Sequence, residues 1–235
     1  MSNQKQHTIL LLFPWKKLGK EVISRFLQTE NHIILITHSA EDQTFFKDNT
    51  AGPNPDLRIL RMGKEPEKFW QELPADVKQQ IKQSALVINF IGTDFIKMKT
   101  GGEGTDWEID PDQPAQQRFS FITLLLDNIE KTVHCKWINL VRGAVGAGNQ
   151  PFTFCATRYN IIGFTHLVEM NPKLSGMEMV NICLSYLKHR DEGVRVTHCT
   201  HCVAEKYRME NIDLSTSESI ADFLVKKSHA LMSAG

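Results

Sequence analysis

The most constraining feature of this sequence is a series of short apolar runs separated by segments with helical spacing. The run Thr8–Phe13 is almost continuously apolar, which is typical of a strand buried on both faces of a parallel sheet. It is followed by Lys20–Gln28, whose apolar residues recur at helical spacing. This alternation of strands and helices predicts an α/β fold, with a doubly wound parallel sheet in a three-layer α/β/α arrangement.

The same patterns locate the other predicted elements. Strands are predicted at His32–Thr37, Asp56–Met62, Ala85–Ile91, Lys136–Val141 and Met177–Leu184, with a further candidate at Val194–Val203. Helices are predicted at Pro66–Gln83 (interrupted at Leu73-Pro74), Gln116–Lys131, Thr157–Met170 and Ser217–Met232, the last with Ser215 or Ser217 as its N-cap. The Gly- and Asp-rich segment Lys99–Gln113 is predicted to be a long surface loop.

Length and composition narrow the class of protein. A chain of 235 residues can form one sizeable core, and no linker divides it, so residues 1–235 are predicted to be a single domain. Acidic and basic residues number 27 each, which gives no general attraction to nucleic acid or to an anionic membrane. The apolar runs are too short to cross a bilayer. Five scattered cysteines, an odd number, indicate reduced thiols and a cytoplasmic protein.

The segment between Trp137 and Leu187 carries the most specific resemblance in the chain. Its predicted strand, helix and strand resemble the second half of the short-chain dehydrogenases/reductases, in which a strand with a catalytic Ser precedes a Tyr-x-x-x-Lys helix. Here Val141-Arg142 occupies the place of the Ser, Phe154 that of the Tyr and Arg158 that of the Lys. The resemblance extends over roughly 8–187, implies a Rossmann-like fold, and leaves 188–235 as a divergent tail.

The residues at these three places change the chemistry that the resemblance implies. In the family the Tyr is the general acid/base, the Lys lowers the pKa of that Tyr, and the Ser polarises the substrate carbonyl. Phe154 has no proton to transfer, and Arg158 cannot be tuned in pKa as a buried Lys can. Arg142 can still donate hydrogen bonds to an oxyanion. We therefore expect that the catalytic set at Arg142, Phe154 and Arg158 is not intact.

The turn after the first strand is where the family binds a dinucleotide, through backbone N–H groups that glycines leave bare. Here the turn reads Phe13-Pro14-Trp15-Lys16-Lys17-Leu18-Gly19-Lys20. Pro14 lacks an N–H group and Trp15 adds bulk. Lys16, Lys17 and Gly19 are weak candidates for cofactor binding, and the alternative for the lysines is a solvated cluster in a loop.

The ends of the second and fourth strands supply the other weak candidates for cofactor binding. His38 follows the end of the second strand, where no acid is present for a ribose hydroxyl, so NADP(H) is favoured over NAD(H) if any dinucleotide binds. In the fourth strand Asn89 and Gly92 resemble part of the family's Leu-Val-Asn-Asn-Ala-Gly run. A strand end and a tight turn would explain both residues without a cofactor.

Two further groups of polar residues lie at other places in the sequence. His198-Cys199-Thr200-His201-Cys202 has the residue types of a metal site, but a strand would place them on alternating faces and no second cluster completes a tetrahedron, so no metal is expected. In the 99–113 loop, Asp106, Glu108 and Asp110 are candidate acids, or they form a solvated acidic loop.

These features predict a pseudoenzyme of this fold that acts as a binding or interaction subunit and has no cofactor. The alternative is a divergent NAD(P)(H)-dependent oxidoreductase, or a non-redox enzyme, on the same scaffold. Surplus apolar residues on the helices 116–131 and 157–170 predict a homodimer or oligomer through these two helices. A protein partner is also expected, whereas nucleic acid and membrane are not.

Overall fold

The computed structural model describes residues 7–29, 31–50, 54–91, 114–130, 134–142, 177–184 and 216–233. The strands in these ranges are β1 (Thr8–Leu12), β2 (His32–Thr37), β3 (Leu57–Arg61), β4 (Leu86–Ile91), β5 (Lys136–Arg142) and β6 (Glu178–Leu184). The helices are α1 (Lys16–Leu27), α2 (Ala40–Asn49), α3 (Pro66–Glu72), α4 (Ala75–Lys82), α5 (Pro114–Asn128) and α6 (Ser217–Ser233).

The described strands form one parallel sheet in the order β3-β2-β1-β4-β5-β6. The sheet grows outward from β1 to β3 in one direction and then from β4 to β6 in the other. This order is that of a doubly wound sheet, whose switch point lies between β1 and β4. The predicted α/β class and Rossmann-like sheet are therefore confirmed.

Helices cover both faces of the sheet and create two cores. The first core lies against α1, α2 and α6 and contains Ile9, Phe26, Phe46 and Leu224. The second core lies against α3, α4 and α5 and contains Leu10, Ile81, Phe121 and Trp137. Because successive strand residues point to opposite faces, the unbroken apolar runs of the sequence supply both cores at once.

Helix α6 is the described part of the divergent tail, and it packs on α1. Arg25 of α1 donates a hydrogen bond to Asp222 of α6, and the ring centroids of Phe26 and His229 lie 6.4 Å apart. Ile220 and Leu224 belong to the first core. That residues 1–235 form a single domain stays a prediction.

Several predicted boundaries need correction. Helix α1 begins at Lys16 rather than Lys20, directly after the extended residue Trp15. The predicted N-caps Ser215 and Ser217 are wrong, because the Thr216 hydroxyl accepts a hydrogen bond from the Ser219 N–H at 3.1 Å and the Thr216 N–H donates to Ser219 Oγ at 3.1 Å. The predicted break at Leu73-Pro74 is confirmed, since it separates α3 from α4.

The sequence patterns did not predict α2. Phe46 is its one buried residue, so the helix has no apolar periodicity to detect. It is stabilised at its start instead, where the Ser39 hydroxyl accepts a hydrogen bond from the Asp42 N–H at 3.0 Å. Glu41 and Asp42 in its first turn complement the helix dipole.

The predicted strand Val194–Val203, the helix Thr157–Met170 and the loop Lys99–Gln113 lie outside the described residues. Among the helices that the structure describes, none is long and apolar enough to cross a membrane.

Candidate functional site

The candidate site lies at the carboxyl edge of the sheet, beside the switch point. In doubly wound sheets a ligand binds in the crevice outside the carboxyl ends of the strands at this point. Leu12, near the end of β1, is in register with Ile36 of β2 on one side and with Asn89 of β4 on the other. The turn from β1 to α1 therefore borders the crevice directly.

Phe13, the first residue of that turn, has a left-handed backbone with φ of 54°. Its N–H donates a hydrogen bond to the Ile36 carbonyl at 2.8 Å, which ties the turn to β2. Its side chain is 5% exposed, and its ring meets the Phe121 ring edge-on with centroids 6.2 Å apart. The Arg118 guanidinium lies 5.2 Å from the centroid of the Phe13 ring. The ring is thus enclosed at the carboxyl edge of the sheet.

Pro14 and Trp15 complete the turn with side chains instead of bare backbone. Pro14 is buried, and Trp15 is the N-cap of α1 without a side-chain cap hydrogen bond. The Trp15 ring packs edge-on against Phe90 of β4, with centroids 5.5 Å apart. Phe90 belongs to the first core and Phe13 to the second. The two aromatic side chains of the turn therefore pack into different cores.

Gly19 lies where α1 approaches both the turn and α2. A Cβ atom at this position would stand 2.7 Å from Pro14 Cβ and 3.0 Å from Phe46 Cζ. Both neighbours are buried, so neither can move freely. Close packing alone thus accounts for the glycine.

Lys16 and Lys17 do not form one cationic group. Lys16 donates a hydrogen bond to Glu41, and its Nζ lies 3.8 Å from Asp42 Oδ1. The hydrogen bond with Glu41 raises the pKa of Lys16 and lowers that of Glu41. Lys17 is exposed and, on the α6 side, contributes to the lowered pKa of Glu218, after that residue's own backbone N–H and Thr216. Lys16 is therefore paired with α2, whereas Lys17 is exposed and has no part in that pairing.

His38 follows β2 at the same edge. Its Nδ1 is buried and has no hydrogen-bond partner within the described part of the chain. Burial lowers the pKa of His38, the positive charge of Arg118 lowers it further, and Asp42 opposes both effects. A neutral imidazole beside Arg118 therefore stands at the strand tip, and Arg61 ends the neighbouring strand β3.

Asn89 is not at the edge but inside the sheet, and it is 2% exposed. Its Nδ2 donates to Asn139 Oδ1 at 3.0 Å, and Trp137 Nε1 donates to the same oxygen at 2.8 Å. Asn89, Asn139 and Asn181 share one register level across β4, β5 and β6. The sequence reasoning missed Asn139 and Trp137, although an Asn inside each of three predicted strands was visible. The observed contacts give Asn89 a structural role in joining β4 to β5.

The other candidate residues are not placed by the structure. Gly92, Phe154 and Arg158 lie outside the described residues, as do the 99–113 loop and the segment His198–Cys202. Arg142 ends β5, but its side chain is not described. Within the described ranges there is no group of three or more His, Cys, Asp or Glu residues that could hold a metal ion.

Several solved structures share this fold. An NADH-dependent reductase complexed with NAD has a TM-score of 0.58 and 11% identity, over 98% of this chain and 92% of that chain. A short-chain dehydrogenase/reductase family oxidoreductase from Aeromonas hydrophila has a TM-score of 0.58 and 11% identity, over 94% and 90%. ElxO with NADPH bound has a TM-score of 0.54 and 14% identity, over 78% and 75%.

No protein-family model and no curated protein matches the sequence. At such low identities a structural likeness establishes the fold and not the activity. The resemblance seen in the sequence is confirmed to that extent: this chain has the fold of the short-chain dehydrogenases/reductases.

Proposed function

We propose that this protein is a binding or interaction subunit with the short-chain dehydrogenase/reductase fold, and that hydride transfer is not its activity. The observation that carries the proposal is the aromatic turn between β1 and α1. Phe13 is enclosed between Phe121 and Arg118, and Trp15 packs on Phe90. A pyrophosphate needs bare backbone N–H groups at this turn, and these residues do not fit that requirement.

The residues matched to the catalytic set agree with this proposal by their identity alone. Phe154 occupies the place of the family's Tyr and has no proton to transfer. A cytoplasmic location is part of the proposal and rests on the odd number of scattered cysteines.

The second candidate is a divergent NAD(P)(H)-dependent oxidoreductase, and the solved structures are its support. Two of them are described with NAD or NADPH, whereas the proposal that this chain binds no dinucleotide is argued from the turn between β1 and α1. The carboxyl edge carries Arg61 and Arg118 and has no acid at the tip of β2, which would suit a phosphate of NADP(H) better than a bare ribose.

Calorimetric titration of the purified protein with NADPH and with NADH separates the two candidates. We expect no heat of binding, and no rise in melting temperature as the dinucleotide concentration increases. A reductase of this fold, titrated in parallel, serves as the positive control. Micromolar affinity with a concentration-dependent melting temperature would establish the oxidoreductase candidate instead.

We also propose that the protein associates through α5 with a second copy of itself, and the alternative occupant of the same surface is a different protein partner. Five of the apolar residues in this region, Phe121, Ile122, Leu125, Leu126 and Ile129, are buried in the second core. Phe119 is the exposed large hydrophobic residue of the described chain, at 45%. Support for the interface therefore narrows to the Phe119 side of α5, because the helix 157–170 lies outside the described residues.

A further inference from the structure

We propose that the side chain of Phe13, and not the path of the backbone at this residue, closes the switch-point crevice to a nucleotide. The inference rests on the proposed function, because it assigns the poor fit to a dinucleotide to one side chain.

The backbone at position 13 already has the conformation that a glycine provides. Its φ of 54° is in the left-handed region, where glycine has no Cβ penalty and asparagine is tolerated. The hydrogen bond from the Phe13 N–H to the Ile36 carbonyl, 2.8 Å long, can be made by any residue except proline. A glycine would therefore keep the path of the turn, so this path is not the obstacle.

The side chain at position 13 occupies the space that such a glycine would leave open. Its ring belongs to the core formed with Leu12, Ile36 and Met62 and is in contact with Phe121. The Arg118 guanidinium lies 5.2 Å from the ring centroid, and guanidinium groups stack in a similar way on nucleobases. The Phe13 ring therefore already occupies the space beside Phe121 and Arg118.

The contribution of Trp15 to the closed turn can be separated from that of Phe13. Its ring packs against Phe90, on the opposite face of the sheet from the core that contains Phe13. A substitution at position 13 opens one face without disturbing the contact of Trp15 on the other, so the two aromatic residues can be tested individually.

The test measures NADPH binding to Phe13→Gly and Phe13→Asn by calorimetry, with melting temperature as a second readout. We expect both variants to bind NADPH at least about tenfold more tightly than the parent does. Each variant should also melt at a higher temperature with NADPH than without it. Trp15→Ala and Phe69→Leu are the matched controls. The ring centroids of Phe69 and Phe121 lie 5.6 Å apart, so Phe69 belongs to the same aromatic group but is not in the turn. Folded Phe13 variants without a gain, or an equal gain in either control, would overturn the assignment.

The left-handed backbone at position 13 can be tested without a ligand, by comparing two variants. Phe13→Ala and Phe13→Gly remove the same ring, but alanine keeps the left-handed strain and glycine does not. We expect the Gly variant to melt above the Ala variant, and the reverse order would contradict the proposal.

Titration of the parent protein with NADPH distinguishes a failure of the proposed function from a failure of the inference about Phe13. If the parent binds NADPH tightly, the proposed function fails. If neither the parent nor the Phe13 variants bind NADPH, only the inference about Phe13 fails.

Discussion

Gly19 and Gly63 are restricted to glycine by different physical causes. Gly19 has an ordinary helical backbone but no room for a Cβ, which would stand 2.7 Å from Pro14 Cβ. Gly63 has a φ of 75°, and an added Cβ there would meet nothing within 4 Å. Packing therefore constrains the first residue and backbone conformation constrains the second.

Substitution by alanine separates these two causes. Gly19→Ala gains about 1 kcal/mol of helix propensity but forces α1 away from Pro14 and Phe46, so we expect a net loss of about 1 to 2 kcal/mol of unfolding free energy. Gly63→Ala should lose about 1 kcal/mol through strain, and Gly63→Asn should recover most of it. Urea unfolding measures all three variants. A Gly19→Ala variant as stable as the parent would mean that α1 shifts without cost.

His38 should make stability depend on pH. Because burial and Arg118 lower its pKa in the folded state, the unfolded state takes up a proton first as the pH falls. His38 therefore contributes stability above the ordinary histidine range, and that contribution is lost as the pH falls towards the lowered pKa. We expect His38→Gln to flatten the decline in unfolding free energy between about pH 7 and pH 5. If the unfolding free energies of parent and variant depend on pH in the same way, His38 is not the source of the pH dependence.

At the scale of secondary-structure elements, one side-chain amide joins two strands. Asn139 Oδ1 accepts hydrogen bonds from both Asn89 and Trp137, and all three residues are buried. Asn139→Leu leaves two buried donors without this acceptor, and we expect it to cost about 2 to 4 kcal/mol. Asn89→Leu leaves the bond from Trp137 in place and should cost less.

Thermal and urea unfolding of the double variant completes this comparison. If the two amides act as a pair, the loss in Asn89→Leu/Asn139→Leu should be smaller than the sum of the single losses. Strictly additive losses would indicate that each asparagine acts through other contacts.

A strand or helix could be predicted from the sequence where its buried residues form a recognisable apolar pattern along the chain. The strands were recognisable because burial on both faces requires unbroken apolar runs, as in Thr8–Leu12. Helix α2 was not, because it buries Phe46 alone and is specified at its start by Ser39.

The candidate site was less predictable than the fold. The sequence indicated bulk at Phe13 to Trp15, but a phenylalanine gives no sign of a left-handed backbone. The partners of Lys16 and His38 come from α2 and α5, and such contacts between distant elements leave no trace in local spacing.

At the scale of the whole molecule, the proposed association through α5 can be tested by light scattering. We expect twice the monomer mass for the parent, and the monomer mass for Phe119→Glu, because Phe119 is exposed and its substitution leaves the core intact. Leu125→Glu is the contrasting variant. Leu125 is fully buried in the second core, so this charge should unfold the protein rather than dissociate it. A monomeric parent at high concentration would exclude the interface.

The packing of α6 on α1 has a consequence for how the chain is made. Arg25 and Asp222 meet across 197 positions of sequence. A ribosome adds about 5 to 20 residues per second, so α1 waits roughly 10 to 40 s for the helix that covers it. During this interval the part of α1 and of the first core that α6 covers is open to chaperones and to neighbouring polysomes. The yield of folded protein during expression should therefore depend on the speed of translation and on the supply of chaperones. This dependence should be stronger than expected from the free energy of unfolding of the complete chain.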